Sequence, residues 1–246
     1  MWTTWNIAKR EFKSNFNSPL AYVVICLSLV LLGVFFFFVW GGGFWQADRA
    51  TFNQMFIWAP RGLAMVVVPV ITMRLLAEEK RSGTLEMLIT LPVRDHEVIL
   101  GKFVGAWGLV LVLIASTFLY PVMMFMTPWK LGALDMGPVL SGYLGLILFS
   151  AAAVSIGLFI SALTESQVIA FFVTWVVLLV FSFMGFAVDQ LGNPAAREIL
   201  AYVSFDARLT PFARGMISTR DIVFFVSICF MCLMGSFWAL ERRKWV

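Results

Sequence analysis

The sequence predicts an all-α integral membrane protein with six transmembrane helices. Of its 246 residues, 61% are hydrophobic and only 13% are charged, about half the charged fraction of an ordinary soluble domain. The mean hydropathy is +0.91. This surplus of apolar side chains is too large for one soluble core, so the lipid bilayer is the expected solvent.

The apolar residues are gathered in six runs, each with the roughly 20 residues that a spanning helix needs. None has Asp, Glu or Lys at its centre, where one charge would cost roughly 3 kcal/mol. The first run is too long for a signal-peptide core, and we expect it to be retained. We therefore interpret residues 1–246 as a single transmembrane domain with spans at about 20–40, 58–77, 103–127, 138–162, 167–188 and 221–240.

The distribution of Lys and Arg predicts the orientation of these spans. If the N-terminus lies inside, eleven of these residues fall in inner segments and seven in outer segments. Basic residues next to span ends favour the cytoplasmic side. Both termini are therefore expected in the cytoplasm. The net charge of +4 is explained by these basic ends, and no nucleic-acid partner is expected.

Residues 1–18 precede the first span and have helical amphipathic spacing. Trp2, Trp5, Phe12 and Phe16 fall on one side of a helix, opposite basic residues such as Lys13. Aromatic residues facing basic ones favour a helix that lies in the membrane surface. We expect an interfacial helix that turns into the first span near Pro19. The alternative is a basic flank that only sets topology.

The outer segment 189–220 is about 30 residues long and partly apolar. Its Pro and Gly residues divide it into short stretches. Irregular backbone at membrane depth is tolerated only where protein or water covers it. We therefore expect short re-entrant helices between the fifth and sixth spans.

The inner segment 78–102 is densely charged and contains a short amphipathic stretch. Ser82 and Gly83 interrupt the preceding helix, "TLEMLITL" carries an apolar stripe, and Pro92 ends it. Asp95 is placed to cap the next helix. This order predicts a rigid turn with a short helix that fits a groove in another protein. The alternative is a charged loop that only sets topology.

This segment resembles the signature of permease subunits of type-2 ABC transporters. Its elements recur in the same order: Glu78-Glu79, Gly83-Thr84-Leu85-Glu86, a Leu-rich turn, Pro92 and Gly101-Lys102. The C-terminal tail is further similar to a subgroup that includes the gliding-motility permease and the permease of nitrous-oxide reductase maturation.

The resemblance implies a multi-pass protein of the bacterial inner (plasma) membrane that pairs with a second copy of itself or with a related permease. Two copies of a separate ABC ATPase subunit would bind ATP and Mg, since this chain has no phosphate-binding motif of its own. A periplasmic accessory protein is a further possible partner. The coupling helix that contacts the ATPase would use Glu78, Glu79, Arg81, Gly83, Thr84, Glu86, Leu88 and Pro92.

The third span begins with a face of small residues, Gly101, Gly105 and Gly108. Such faces allow close helix packing. The spacing leaves two partners open, another helix of this chain or a second copy.

A metal site and an intramembrane active site are both weakly supported. Cys229 and Cys232 lie three residues apart in the last span, and soft sulfur ligands select copper(I), but Cys and Met are also ordinary apolar packers. We expect no metal and no cofactor in this chain. No Ser/His, paired Asp or metal set lies within the spans, which disfavours an enzyme.

Three functions are consistent with these observations. The first is the permease of an ABC transporter that moves an unidentified substrate across the membrane by ATP hydrolysis in its partner. The second is a membrane anchor that transmits ATPase-driven mechanical work to an envelope machine, as in gliding motility. The third is a permease for copper-site maturation.

Overall fold

A computed structural model describes the chain in five stretches, and every regular element within them is a helix. The all-helical prediction is therefore confirmed for these residues. The first two helices, α1 (Trp2–Asn17) and α2 (Pro19–Phe38), meet at a bend of 74°. Pro19 begins α2, where its missing N–H costs no helical hydrogen bond. The described stretches are 2–38, 52–83, 94–125, 135–190 and 194–241.

The second apolar run is a composite of several helical pieces. It consists of α3 (Asn53–Gly62), a π-helix (Leu63–Val67), α4 (Val68–Thr72) and, after a turn at 73–76, α5 (Ala77–Arg81). Pro60 and Pro69 cannot donate backbone hydrogen bonds, and prolines disturb the regular ladder of a helix. A π-helical turn within an α-helix is frequent at functional sites.

The centre of the bundle is α8 (Met136–Leu163), whose most apolar window is 72% buried. It is hydrophobic on all sides, which is typical of a helix surrounded by others. It packs against α6 (Asp95–Ser116), which is followed by α7 (Leu119–Phe125). The helix α6 begins at Asp95 with Arg94 in the N-cap position, so the expected cap by Asp95 is wrong by one residue.

The remaining helices include two long, exposed ones. They are α9 (Gln167–Gln190), α10 (Pro194–Val203), α11 (Phe205–Ala213) and α12 (Thr219–Glu241). Only 22% of the apolar window of α9 and 11% of that of α12 is buried. Large exposed apolar faces of this kind suit contact with lipid or with a second protein.

Within the described stretches, five helices are long and apolar enough to cross a membrane: Met55–Arg81, Asp95–Val122, Met136–Leu163, Gln167–Phe186 and Thr219–Glu241. The bent pair Thr4–Asn17 and Ala21–Phe35 makes a sixth only if it is counted as one span. Several membrane-spanning helices are thus shown, whereas six remains a prediction. We name the two ends of the bundle the Lys102 end and the Arg208 end, after a buried side chain at each.

Candidate functional site

A buried lysine joins three helices at the Lys102 end. The Lys102 Nζ atom lies 2.7 Å from Glu79 Oε1 and 3.0 Å from Glu11 Oε1. Its side chain is only 3% exposed, and those of the two glutamates are 20% and 16% exposed. A buried ammonium is tolerated only when it is paired and hydrogen-bonded. We call these three residues the Lys102 cluster.

The Lys102 cluster joins the two helices on either side of residues 84–93. Glu79 lies on α5, before that segment, and Lys102 is the eighth residue of α6, after it. Glu11 adds the N-terminal helix α1. The cluster therefore links α5, α6 and α1 through one ammonium group.

The glycine face of α6 packs against α1. A Cβ atom at Gly101 would lie 2.7 Å from Ile7 Cγ2, and one at Gly105 would lie 2.7 Å from Glu11 Cβ. At Gly108 it would lie 3.1 Å from the Phe12 ring. The sequence leaves open whether this face contacts another helix of the chain or a second copy. In the structure it contacts α1 of the same chain. The close approach of the backbones brings Glu11 within reach of Lys102.

The short helix α5 is anchored to the end of α8. The Ser161 hydroxyl oxygen accepts hydrogen bonds from the backbone N–H groups of Leu76 and Ala77, both at 3.1 Å. Lys80 Nζ donates to the Ala162 carbonyl oxygen. The turn at 73–76 would otherwise leave buried N–H groups without acceptors, since Leu76 and Ala77 are 0% exposed.

The predicted coupling residues fall into two groups. Glu78 and Arg81 are exposed, Glu79 lies in the Lys102 cluster, and Gly83 has a φ of 69° that ends the helical stretch. A positive φ of this size favours glycine because it has no Cβ atom. The other predicted residues lie outside the described residues: Thr84, Glu86, Leu88 and Pro92.

The aromatic face of α1 is divided between two environments. Trp5 is 63% exposed, whereas Phe12 contacts Gly108, and the rings of Phe12 and Phe16 lie 4.8 Å apart. The side chain of Trp2 lies outside the described residues. Part of the face predicted to contact the membrane is therefore covered by α6.

Two arginine–aspartate pairs join helices at the other end of the bundle, and both arginines are buried. Arg208 Nη1 lies 2.8 Å from Asp221 Oδ1, with both side chains under 10% exposed. Arg61 Nη2 lies 2.7 Å from Asp206 Oδ1 and joins α3 to α11. In the sequence these arginines stand out only as basic residues of the predicted outer segments. The pairing was missed because Arg61 and Asp206 are 145 positions apart.

No group of three or more His, Cys, Asp or Glu side chains that could hold a metal ion occurs in the described stretches. Cys229 and Cys232 are half-buried on α12 and pack against the hydrophobic core. Their surroundings are those of ordinary apolar packing residues.

The several long apolar helices define a multi-pass membrane protein. The model of the ABC-2 family transporter proteins matches residues 61–201, more than half of the chain. The chain belongs to this family. It is a membrane permease of an ABC transporter, and the family implies an ABC ATPase as the partner that hydrolyses ATP. No curated protein matches the chain.

Proposed function

We propose that this permease forms a dimer, binds two ABC ATPase subunits at the segment 78–102, and couples ATP hydrolysis to movement of a substrate across the membrane. The observation that carries the proposal is the Lys102 cluster, which joins the helices on either side of residues 84–93. The family match supplies the class of partner.

The proposed transmission begins at the ATPase and ends in the spans. The exposed side chains of Glu78 and Arg81, with Thr84, Glu86, Leu88 and Pro92, form the contact surface for the ATPase. Closure of the ATPase pair displaces this surface. Because Glu79 and Lys102 are 2.7 Å apart, α5 and α6 move together, and the turn at 73–76 with the π-helix gives the second span places to bend.

The proposed orientation puts the Lys102 end in the cytoplasm, with both termini on that side. The basic residues Arg10, Lys13, Arg74 and Arg81 are exposed at this end, which agrees with the preference of basic flanks for the cytoplasm. The short helices α10 and α11 would then lie at the outer surface. For the same reason α1 is proposed to lie in the inner membrane surface.

The experiment is to purify the chain with its ABC ATPase in lipid nanodiscs and to compare Glu86→Arg with the unchanged complex. We expect Glu86→Arg to weaken complex assembly or to abolish stimulation of ATP hydrolysis by the permease. The matched control is Glu198→Arg, an exposed glutamate at the Arg208 end, which should change neither. Full assembly and full stimulation in Glu86→Arg would contradict the assignment of this segment.

A further inference from the structure

A polar recess of about 470 Å³ opens at the Lys102 end. It lies between α1 on one side and residues 71–79 with Lys102 on the other. Polar and charged side chains line much of it, among them Ser14, Asn15, Arg74 and Glu78. A narrower cleft of about 40 Å³ shares Asn15, Ser18, Ile71 and Arg74 with the recess.

The cleft differs from the recess in its chemistry. Its other walls are the apolar side chains of Ala21, Val24, Val70 and Leu109, and Val24 is only 5% exposed. A polar recess that shares its wall with an apolar cleft matches the two parts of an amphiphile, a polar headgroup and the beginning of an acyl chain.

The shared wall contains a hydrogen-bond donor without an acceptor. Asn15 Nδ2 is buried and has no hydrogen-bond partner within the described stretches. A buried donor without an acceptor is destabilising, so an acceptor from a bound molecule would be stabilising. The exposed guanidinium of Arg74 lies on the same shared wall and forms no ion pair with a described residue.

The charges of the recess have both signs. Arg10, Arg74 and Lys102 are balanced by Glu11, Glu78 and Glu79, three of each sign. Lys102 is already paired with Glu11 and Glu79, which leaves Arg10, Arg74 and Glu78 to face a ligand. Cations bind phosphate and a carboxylate binds an ammonium group, so this set suits a zwitterionic headgroup.

We propose that the recess binds a phospholipid with an amine headgroup. Its phosphate oxygens accept hydrogen bonds from Asn15 and Arg74, its ammonium group contacts Glu78, and one acyl chain begins in the cleft. Free phosphate would satisfy the donors but leave the apolar cleft unfilled. The bent junction of α1 and α2 forms one side of the recess, through Asn15 and Ser18, so a bound lipid would also support that junction.

The test uses the purified, delipidated full-length chain in detergent and native mass spectrometry. The probes are phosphatidylethanolamine, phosphatidylglycerol and inorganic phosphate, added separately. We expect phosphatidylethanolamine to bind more tightly than phosphatidylglycerol, and inorganic phosphate alone not to be retained. Arg74→Gln and Asn15→Leu should each weaken phosphatidylethanolamine binding about tenfold, the effect of roughly one charged hydrogen bond.

Two further variants make the test specific. Glu78→Gln should abolish the preference for the amine headgroup while retaining binding of phosphatidylglycerol. Lys13→Gln removes an exposed charge from α1 outside the recess and should bind as the unchanged chain does. Because the Arg74 side chain is exposed, we expect Arg74→Gln to fold. It therefore tests lipid binding even if Asn15→Leu fails to fold.

The proposal is overturned if Arg74→Gln binds phosphatidylethanolamine as tightly as the unchanged chain. It is also overturned if inorganic phosphate alone competes fully, or if the two lipids bind equally and Glu78→Gln has no effect. No ATPase takes part in the measurement, so a negative result here leaves the proposed coupling function untouched.

Discussion

Glu79 and Lys102 form an ion pair of 2.7 Å across the base of the segment that we propose to contact the ATPase. The same ammonium group also binds Glu11 at 3.0 Å. The packing of α1, α5 and α6 against one another therefore depends on one buried ammonium group.

We expect Lys102→Met to lower the free energy of unfolding by about 2 kcal/mol, because two partly buried carboxylates lose the ammonium group between them. Stimulation of ATP hydrolysis should be lost as well, since α5 and α6 are no longer joined. Thermal unfolding in detergent and ATPase assays in nanodiscs measure the two effects.

The control for this change is a charge exchange. Glu79→Lys with Lys102→Glu restores one cation and two carboxylates in the cluster, and we expect it to recover most of the stability and stimulation. An equal loss in the exchanged and single variants would show that shape rather than charge pairing holds the helices together.

Gly105→Leu should separate α1 from α6. A Cβ atom at position 105 would lie 2.7 Å from Glu11 Cβ and 3.1 Å from the Ala8 carbonyl oxygen, and the backbone at Ala8 cannot yield as a flexible side chain does. We expect a loss of about 2 kcal/mol from overpacking, measured by thermal unfolding. At Gly33 the nearest atom to an added Cβ lies 3.5 Å away, so Gly33→Ala should not destabilise the protein.

Ser161→Ala should loosen the turn that precedes α5. The substitution removes the oxygen that accepts from Leu76 and Ala77 and leaves two fully buried N–H groups without an acceptor. We expect a loss of about 2 kcal/mol and faster hydrogen exchange at these two amides. Ser236→Ala is the matched control, because the buried Ser236 hydroxyl donates only to the Cys232 carbonyl oxygen. If both variants behave alike, the turn does not depend on Ser161.

Much of the helical architecture follows from local sequence, whereas the pairing of charges does not. Apolar runs and the punctuation by Pro and Gly predict where helices lie, because these effects act over a few residues. The glycine spacing predicts a close contact at Gly105 but carries no information about which helix fills it. Lys102 and Glu11 are 91 positions apart, so their contact depends on the tertiary fold.

The π-helix at Leu63–Val67 was also not predicted. Its residues are apolar and have the composition of an ordinary spanning helix. The arginines of the predicted outer segments are another case in which local sequence does not reveal the environment of a side chain. A count of positive charges treats Arg208 as solvated. In the structure its Nε and Nη2 atoms each donate to the Tyr202 carbonyl oxygen at 3.1 Å.

Arg208→Leu should destabilise the Arg208 end strongly. Asp221 is 4% exposed and would be left as a buried, unpaired carboxylate, which costs about 3–5 kcal/mol. The double variant Arg208→Leu with Asp221→Leu removes both charges and should recover much of this loss. Thermal unfolding of the two variants measures the difference. If the double variant is as unstable as the single one, the arginine acts through its contact with Tyr202 rather than through Asp221.

The proposed dimer can be tested by disulfide cross-linking between two differently tagged copies in which the native cysteines are replaced by serine. Val30 on α2 is 63% exposed and Val176 on α9 is 50% exposed. The resemblance to type-2 ABC permeases implies that the first and fifth spans, which contain these residues, meet across the dimer. One copy carrying Val30→Cys and the other carrying Val176→Cys should form a mixed dimer on mild oxidation in membranes. Phe230 on α12 is exposed to a similar degree, at 65%, but it lies on the last span, outside the proposed pair. A copy with Phe230→Cys should therefore not cross-link to Val176→Cys, and equal yields from both combinations would reflect random collision rather than a defined interface.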